Sequence, residues 1–199
     1  ASRDEAFGYA DRFDEKYDFV RTLRKGNWKY IRNYQGFYPD GLQNNYRYRM
    51  LAFAEWRELH KAGKLNAAQT QFFEARPAEQ LFDLSKDPHE VSDVAKNPDN
   101  QTVLKEMRAR MTEKVKAIHD LSFYPESYMV AKALGDGVAY GARHAKEINR
   151  LVDIADLGLM PFAKASKSLA KLLLQASASR LVRVRKVTPM RDNRCFATW

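Results

Sequence analysis

The chain has 199 residues, 45% of them hydrophobic, and a formal net charge of +9 at pH 7. That is enough apolar material for one compact core with an appendage, but no apolar run nears the roughly 18 residues of a membrane span. The single cysteine, Cys195, excludes an internal disulfide and a cysteine-built zinc site.

The charge is unevenly placed. Residues 163–199 hold nine basic residues against Asp192 alone, while the rest of the chain holds 25 basic and 24 acidic residues. The basic balance therefore belongs to the tail, and a nucleic-acid partner is not expected for the folded part.

In chain order, the first predicted element is a β-hairpin. Its strands run over Tyr17–Leu23 and Trp28–Tyr34, rich in aromatic and β-branched residues, with Gly26 free to take positive φ in the turn. Ahead of it lies an acidic cluster, Asp11, Asp14, Glu15 and Asp18, which lacks the glycine and ligand alternation of a calcium loop. After it, six rings (Tyr34, Phe37, Tyr38, Tyr46, Tyr48 and Phe53) interleave with Arg47 and Arg49. Such a segment suits either sugar contact or cover for a sheet edge.

Arg49–Ala62 carries apolar residues at helical spacing, and Ala67–Glu74 continues as a short helix stopped by Pro77. Gln80–Leu84 reads as a strand. Ser85-Lys86-Asp87-Pro88 reads as a turn, since Pro88 fixes its own φ and biases Asp87 away from the helical region.

Residues 100–120 form the best predicted helix, opened by the breaker and cap Asn97-Pro98-Asp99-Asn100. Val103, Leu104, Met107, Met111, Val115 and Ile118 share one face. Leu121–Met129 reads as an aromatic linker, and Gly135-Asp136-Gly137 as a break. Helices over 147–157 and 162–178, parted by Gly158–Pro161, suggest a helical hairpin. The basic stretch 180–199 fits no packed element. The fold class expected is α+β: a small antiparallel sheet packed by a long helix over residues 1–129, then a helical appendage with a basic tail over 130–199.

Two stretches carry a family resemblance. Residues 81–95 match L-[YF]-D-L-x-x-D-P-x-E-x-x-[ND]-[LV]-A, with Asp93 and Val94 where Asn-Leu is more usual. Residues 11–33 match DR-x-DE-x-YD-x-VR-x-x-R-x-x-x-[WY]-KYIRN. In order and spacing these resemble the C-terminal portion of sulfatases of the alkaline-phosphatase-like superfamily. They are most similar to the heparan-N-sulfatase-like and arylsulfatase-like bacterial enzymes. The resemblance covers about residues 6–129, and the helical pair after it is similar to HEAT-like repeats carried by some of those enzymes.

The resemblance implies hydrolysis of sulfate esters or sulfamates, with sulfated carbohydrate such as glycosaminoglycan as substrate and a periplasmic or extracellular setting. It also implies that the chemistry lies in a missing N-terminal catalytic domain, with its formylglycine nucleophile and calcium, and that these residues alone are inactive. No catalytic residue, metal ligand or cofactor site is then expected in this chain. Cys195 is followed by Phe196, Ala197, Thr198 and Trp199, without the arginine that completes a formylglycine precursor motif. His60, His89, His119 and His144 show no metal-ligand spacing.

Arg12, Asp14, Tyr17 and Arg21 are the candidates for lining a substrate cleft, because arginine forks recognise sulfate and carboxylate bidentately. An ion-paired strand edge is the competing account of the same residues. Outside catalysis, the sequence also suits a helical interaction module whose basic tail binds acidic partners.

Overall fold

A computed structural model describes residues 4–13, 16–160 and 165–166. The chain divides into two units, Ala1–Leu159 and Met160–Trp199. The sheet and the hydrophobic cluster packed on it lie in the first unit. Most of the predicted second hairpin helix, and the whole basic stretch with Cys195, lie outside the described residues.

Four antiparallel strands form one sheet in the order β1-β2-β3-β4: β1 (Glu5–Phe13), β2 (Lys16–Lys25), β3 (Trp28–Asn33) and β4 (Glu79–Asp83). The predicted hairpin is β2–β3, turning at Gly26 with φ +58. β1 was not expected. Its outward alternate positions are Ala6, Gly8 and Ala10, small residues with weak strand preference. Its register nonetheless places Phe7 opposite Leu23, and the pattern continues through Leu23 opposite Tyr30 and Tyr30 opposite Leu81.

That face is covered by α3 (Gln101–Ala117), whose Leu104, Met107, Met111 and Val115 are buried against Leu23, Tyr30 and Leu81. The predicted stripe is thus the buried one, except that Ile118 lies past the helix end and is exposed. Asn97 accepts a hydrogen bond from the Asp99 N–H and, with Pro98, opens the turn leading into the helix.

The predicted linker after α3 is more regular than its composition suggests. It holds a 3-10 turn over Leu121–Phe123 and then α4 (Glu126–Lys132). α5 (Gly137–Arg143), capped by Asp136, leads to α6 (Ala145–Gly158). α6 lies on α3, and its Ile148 and Val152 are fully buried in the same core as the sheet.

Between β3 and β4 the chain makes a long excursion holding α1 (Leu51–Lys61) and α2 (Ala67–Thr70). Neither contributes a buried residue. α1 is tied instead by ring contacts to the residues just after α2, with Trp56 stacked on Phe72 at 4.3 Å and His60 on Phe73 at 4.2 Å. The predicted helix over 67–74 breaks into α2 and a 3-10 turn over Gln71–Phe73, and starts with a capping box between Asn66 and Gln69. No helix of the described residues is long and apolar enough to cross a membrane.

Candidate functional site

The stretch 79–95 turns its polar side chains back onto its own backbone. Asp83 accepts from the Ser85 N–H at 3.2 Å and the Ser85 hydroxyl at 2.6 Å. Asp87 accepts from the Ser92 N–H at 2.8 Å, and that bond and its neighbours hold the carboxyl below the usual range. Glu90 sits at φ +57, with Lys29 donating to both its oxygens at 2.7 and 2.6 Å. Asp93 accepts from the N–H groups of Leu81 and Ala95, both at 2.9 Å, while the Val94 N–H donates to the Leu81 carbonyl at 2.8 Å. The pattern thus closes the outer edge of β4. It is a device of folding.

The four candidate cleft residues separate. Arg12 stands opposite Tyr17 across the β1–β2 pair, and Tyr17 is 40% exposed. Burial, then the Asp11 charge, pushes the Tyr17 hydroxyl pKa up. Asp14 and the Arg12 side chain lie outside the described residues.

Arg21 points inward and is 1% exposed. Its Nε donates to Asp120 at 2.6 Å, and its Nη1 donates to Asp11 at 2.6 Å and to the Val20 carbonyl at 2.8 Å. Its guanidinium lies 4.7 Å from the Phe19 ring centre. Ser122 donates its hydroxyl to Asp11 and its N–H to Asp120, completing the cluster. Arg21 therefore joins β1, β2 and the turn after α3.

The described members of the acidic cluster, Asp11 and Asp18, are likewise committed. Asp11 pairs with Arg21, and Asp18 with Arg76 at 2.7 Å. Among the described residues no group of three or more His, Cys, Asp or Glu side chains could hold a metal ion. These carboxylates do not fit a calcium site, since arginines occupy their oxygens. His60 and His144 lie flat on Phe73 and Tyr140, and His119, at φ +51, follows α3.

A second buried cluster was not anticipated. Arg32 is 1% exposed and donates to both oxygens of Asp156 at 2.8 Å, to Thr112 at 3.0 Å and to the Arg108 carbonyl at 3.0 Å. The Tyr34 hydroxyl donates to the same Asp156 at 2.7 Å, and Tyr30 bonds Glu79, which also holds Arg108 at 2.6 Å. Burial pushes the Tyr30 and Tyr34 hydroxyl pKa values up. Burial also works against the Glu79 carboxylate, but the bonds from Arg108 and Tyr30 prevail and hold its pKa below the ordinary value. The signal was present in the alternation of Trp28, Tyr30 and Arg32 on one strand face.

The aromatic segment is sorted by the fold. Tyr34 packs on Phe19 and Phe123, Tyr48 donates to the Gly41 carbonyl, and Phe53 lies near Trp56 and Phe72. Phe37, Tyr38 and Tyr46 face outward, at 67%, 39% and 58% exposure.

No family model matches the chain. Over 127 residues it is 41% identical to the Ulvan-active sulfatase of Formosa agariphila. The aligned part is 62% of this chain and 21% of that protein, so the chain spans about a fifth of the curated relative it matches. With the α+β sheet-and-helix fold, this similarity supports a portion of a sulfatase: the chain is homologous to part of that enzyme.

Proposed function

We propose that these residues are the C-terminal portion of a sulfatase of the alkaline-phosphatase-like superfamily, acting on sulfate esters or sulfamates of a sulfated carbohydrate. The observation that carries this reading is the 41% identity over 127 residues to an ulvan-active sulfatase. The order of the two sequence patterns on either side of the excursion supports it.

In this reading the nucleophile, a formylglycine, and a calcium ion that polarises the sulfate belong to an N-terminal catalytic domain. The residues described here supply neither. In the same reading Tyr17, and Arg12 and Asp14 beside it in sequence, are the substrate-cleft candidates, while Arg21 fixes the β1–β2 pair in place through Asp11 and Asp120. Ulvan is the first substrate to try, because it is the one in the relative's name.

The test compares residues 1–199 alone with the full-length gene product in release of sulfate from an aryl sulfate and from ulvan. Release by the full-length protein only is expected, together with a formylglycine precursor motif upstream of Ala1. Turnover by residues 1–199 alone, lost in Cys195→Ala, overturns the reading. So does an upstream sequence without that motif.

The concentration of positive charge in 163–199 favours a second role, binding of acidic partners by the tail. Its mark would be retention on a polyanion that falls steeply with salt.

A further inference from the structure

Between residues 36 and 49, where the half-exposed Asp40 carboxylate is paired with Arg76, the exposed residues are Phe37, Tyr38, Gln43, Asn45, Tyr46 and Arg49. These are three ring faces, two carboxamides and one guanidinium, with no exposed aliphatic side chain among them. A sugar ring offers an apolar C–H face, a rim of hydroxyls and, when sulfated, an anion. Aromatic faces suit the first, carboxamides the second, and an arginine fork the third.

The loop presenting these groups is held at its base. Arg76 donates to the Tyr38 carbonyl at 3.1 Å and to the Gln35 carbonyl at 3.4 Å, while pairing with Asp18 and Asp40. Its own N–H donates to the Gly36 carbonyl at 2.6 Å. The two backbones run so close there that a Cβ on Gly36 would overlap the Arg76 carbonyl oxygen. Farther along, Arg47 donates to the Asp40 carbonyl, Tyr48 to the Gly41 carbonyl, and the Gly41 N–H to the Phe72 carbonyl.

Rings displayed on such a frame need little ordering when a ligand arrives, which favours binding. The Phe37 and Tyr38 rings lie 4.5 Å apart with planes inclined by 51°. They therefore offer two differently directed faces rather than one flat patch. Gln43 and Asn45 are bonded to each other at 3.2 Å, and Arg57 donates to Gln43 at 2.8 Å, which orients the amides.

We infer that this loop is a binding surface for a sulfated polysaccharide, with Phe37 and Tyr38 stacking on sugar rings and Arg49 meeting a sulfate group. The inference rests on the sulfatase reading for its ligand class. It adds a surface 24 to 37 positions along the chain from Arg12, made of other residues than the proposed cleft group.

The experiment uses the full-length protein and affinity electrophoresis in gels containing ulvan or chemically desulfated ulvan. High salt screens the basic tail. Phe37→Ala with Tyr38→Ala is expected to weaken retention by ulvan about tenfold, the effect of losing two ring contacts, with an unchanged melting temperature. Arg49→Gln, run at low salt, is expected to narrow the preference for ulvan over its desulfated form.

Unchanged retention in the ring variant overturns the inference. A lowered melting temperature with unchanged retention also overturns it, because the rings would then seal against another part of the polypeptide. If the ring variant fails to fold, Tyr46→Ala replaces it under the same two outcomes. Sulfate release by the wild-type protein is measured separately. Ring-dependent retention without sulfate release would refute the sulfatase reading and leave the binding surface standing.

Discussion

The stretches 79–95 and 36–49 are both rich in polar and charged groups, yet they use them in opposite ways. In the first, Asp83, Asp87, Glu90 and Asp93 each bond to nearby backbone or to a lysine across the sheet. In the second, backbone carbonyls are held from below by Arg76 and Arg47, and the side chains of Phe37, Tyr38, Tyr46 and Arg49 face water. The stretch with the more recognisable sequence pattern is therefore the one that builds the fold. The less patterned stretch presents chemistry outward, because loops bear variable side chains on a frame fixed elsewhere.

That contrast can be broken by substitution. If inward polar groups hold the fold, the largest loss should come from the deepest of them. Asp156→Ala leaves the Arg32 guanidinium buried without its carboxylate and is expected to cost about 3–5 kcal/mol in urea unfolding. A loss under about 1 kcal/mol would show that water reaches Arg32. Ending the chain at Met129 removes Asp156 together with Ile148 and Val152, and should be at least as damaging.

Asp93→Ala comes next. It strips the N–H groups of Leu81 and Ala95 of their acceptor and should cost about 1–3 kcal/mol, with Asp93→Asn recovering part, because an amide oxygen can still accept.

The third effect depends on pH. The Glu79 carboxyl is held below its ordinary pKa in the folded protein. Its contribution is therefore fully present above the unfolded value of about 4.3 and is lost as pH falls through the lower folded value. Urea midpoints of wild type and Glu79→Gln should differ most near neutrality and converge in acid. A gap that stays constant into acid would refute that assignment.

The smallest effect is on the outward side. Phe37→Ala with Tyr38→Ala should move stability by no more than about 0.5 kcal/mol per site. A large drop in the same unfolding assay would end the comparison.

Much of the fold was legible because local pattern and tertiary role agree. The stripe Leu104, Met107, Met111, Val115 is at once a helical repeat and the buried face. Tyr30 and Leu81, on strands read from alternation, meet across the sheet. β1 was missed because three of its nine positions are Ala or Gly, and its place depends on pairing with β2 rather than on its own preference. α4 was missed because its seven residues begin directly after a proline within an aromatic run that reads as linker.

The candidate site was less legible. Arg21 was grouped with the cleft because an arginine fork suits an anion. Its partner carboxylates lie 10 and 99 residues away, and no spacing rule connects the second to it. The six-ring segment could not be divided in advance for a related reason. Tyr34 and Tyr38 have the same chemistry, and only the sheet register and the Arg76 anchor decide which turns inward.

The bond between Arg32 and Asp156 also sets an order of events. Synthesis completes all four strands by Asp83, but Arg32 is met by a carboxylate 124 positions later. Until α6 is available, Arg32 lacks its carboxylate pair, and only Glu79, bonded through Tyr30, offsets its charge. Closure over so long an interval is slow relative to local hairpin formation. α3 can cover the apolar part of the sheet's buried face beforehand, and the Arg32 end closes when α6 brings Asp156, Ile148 and Val152 to the same core.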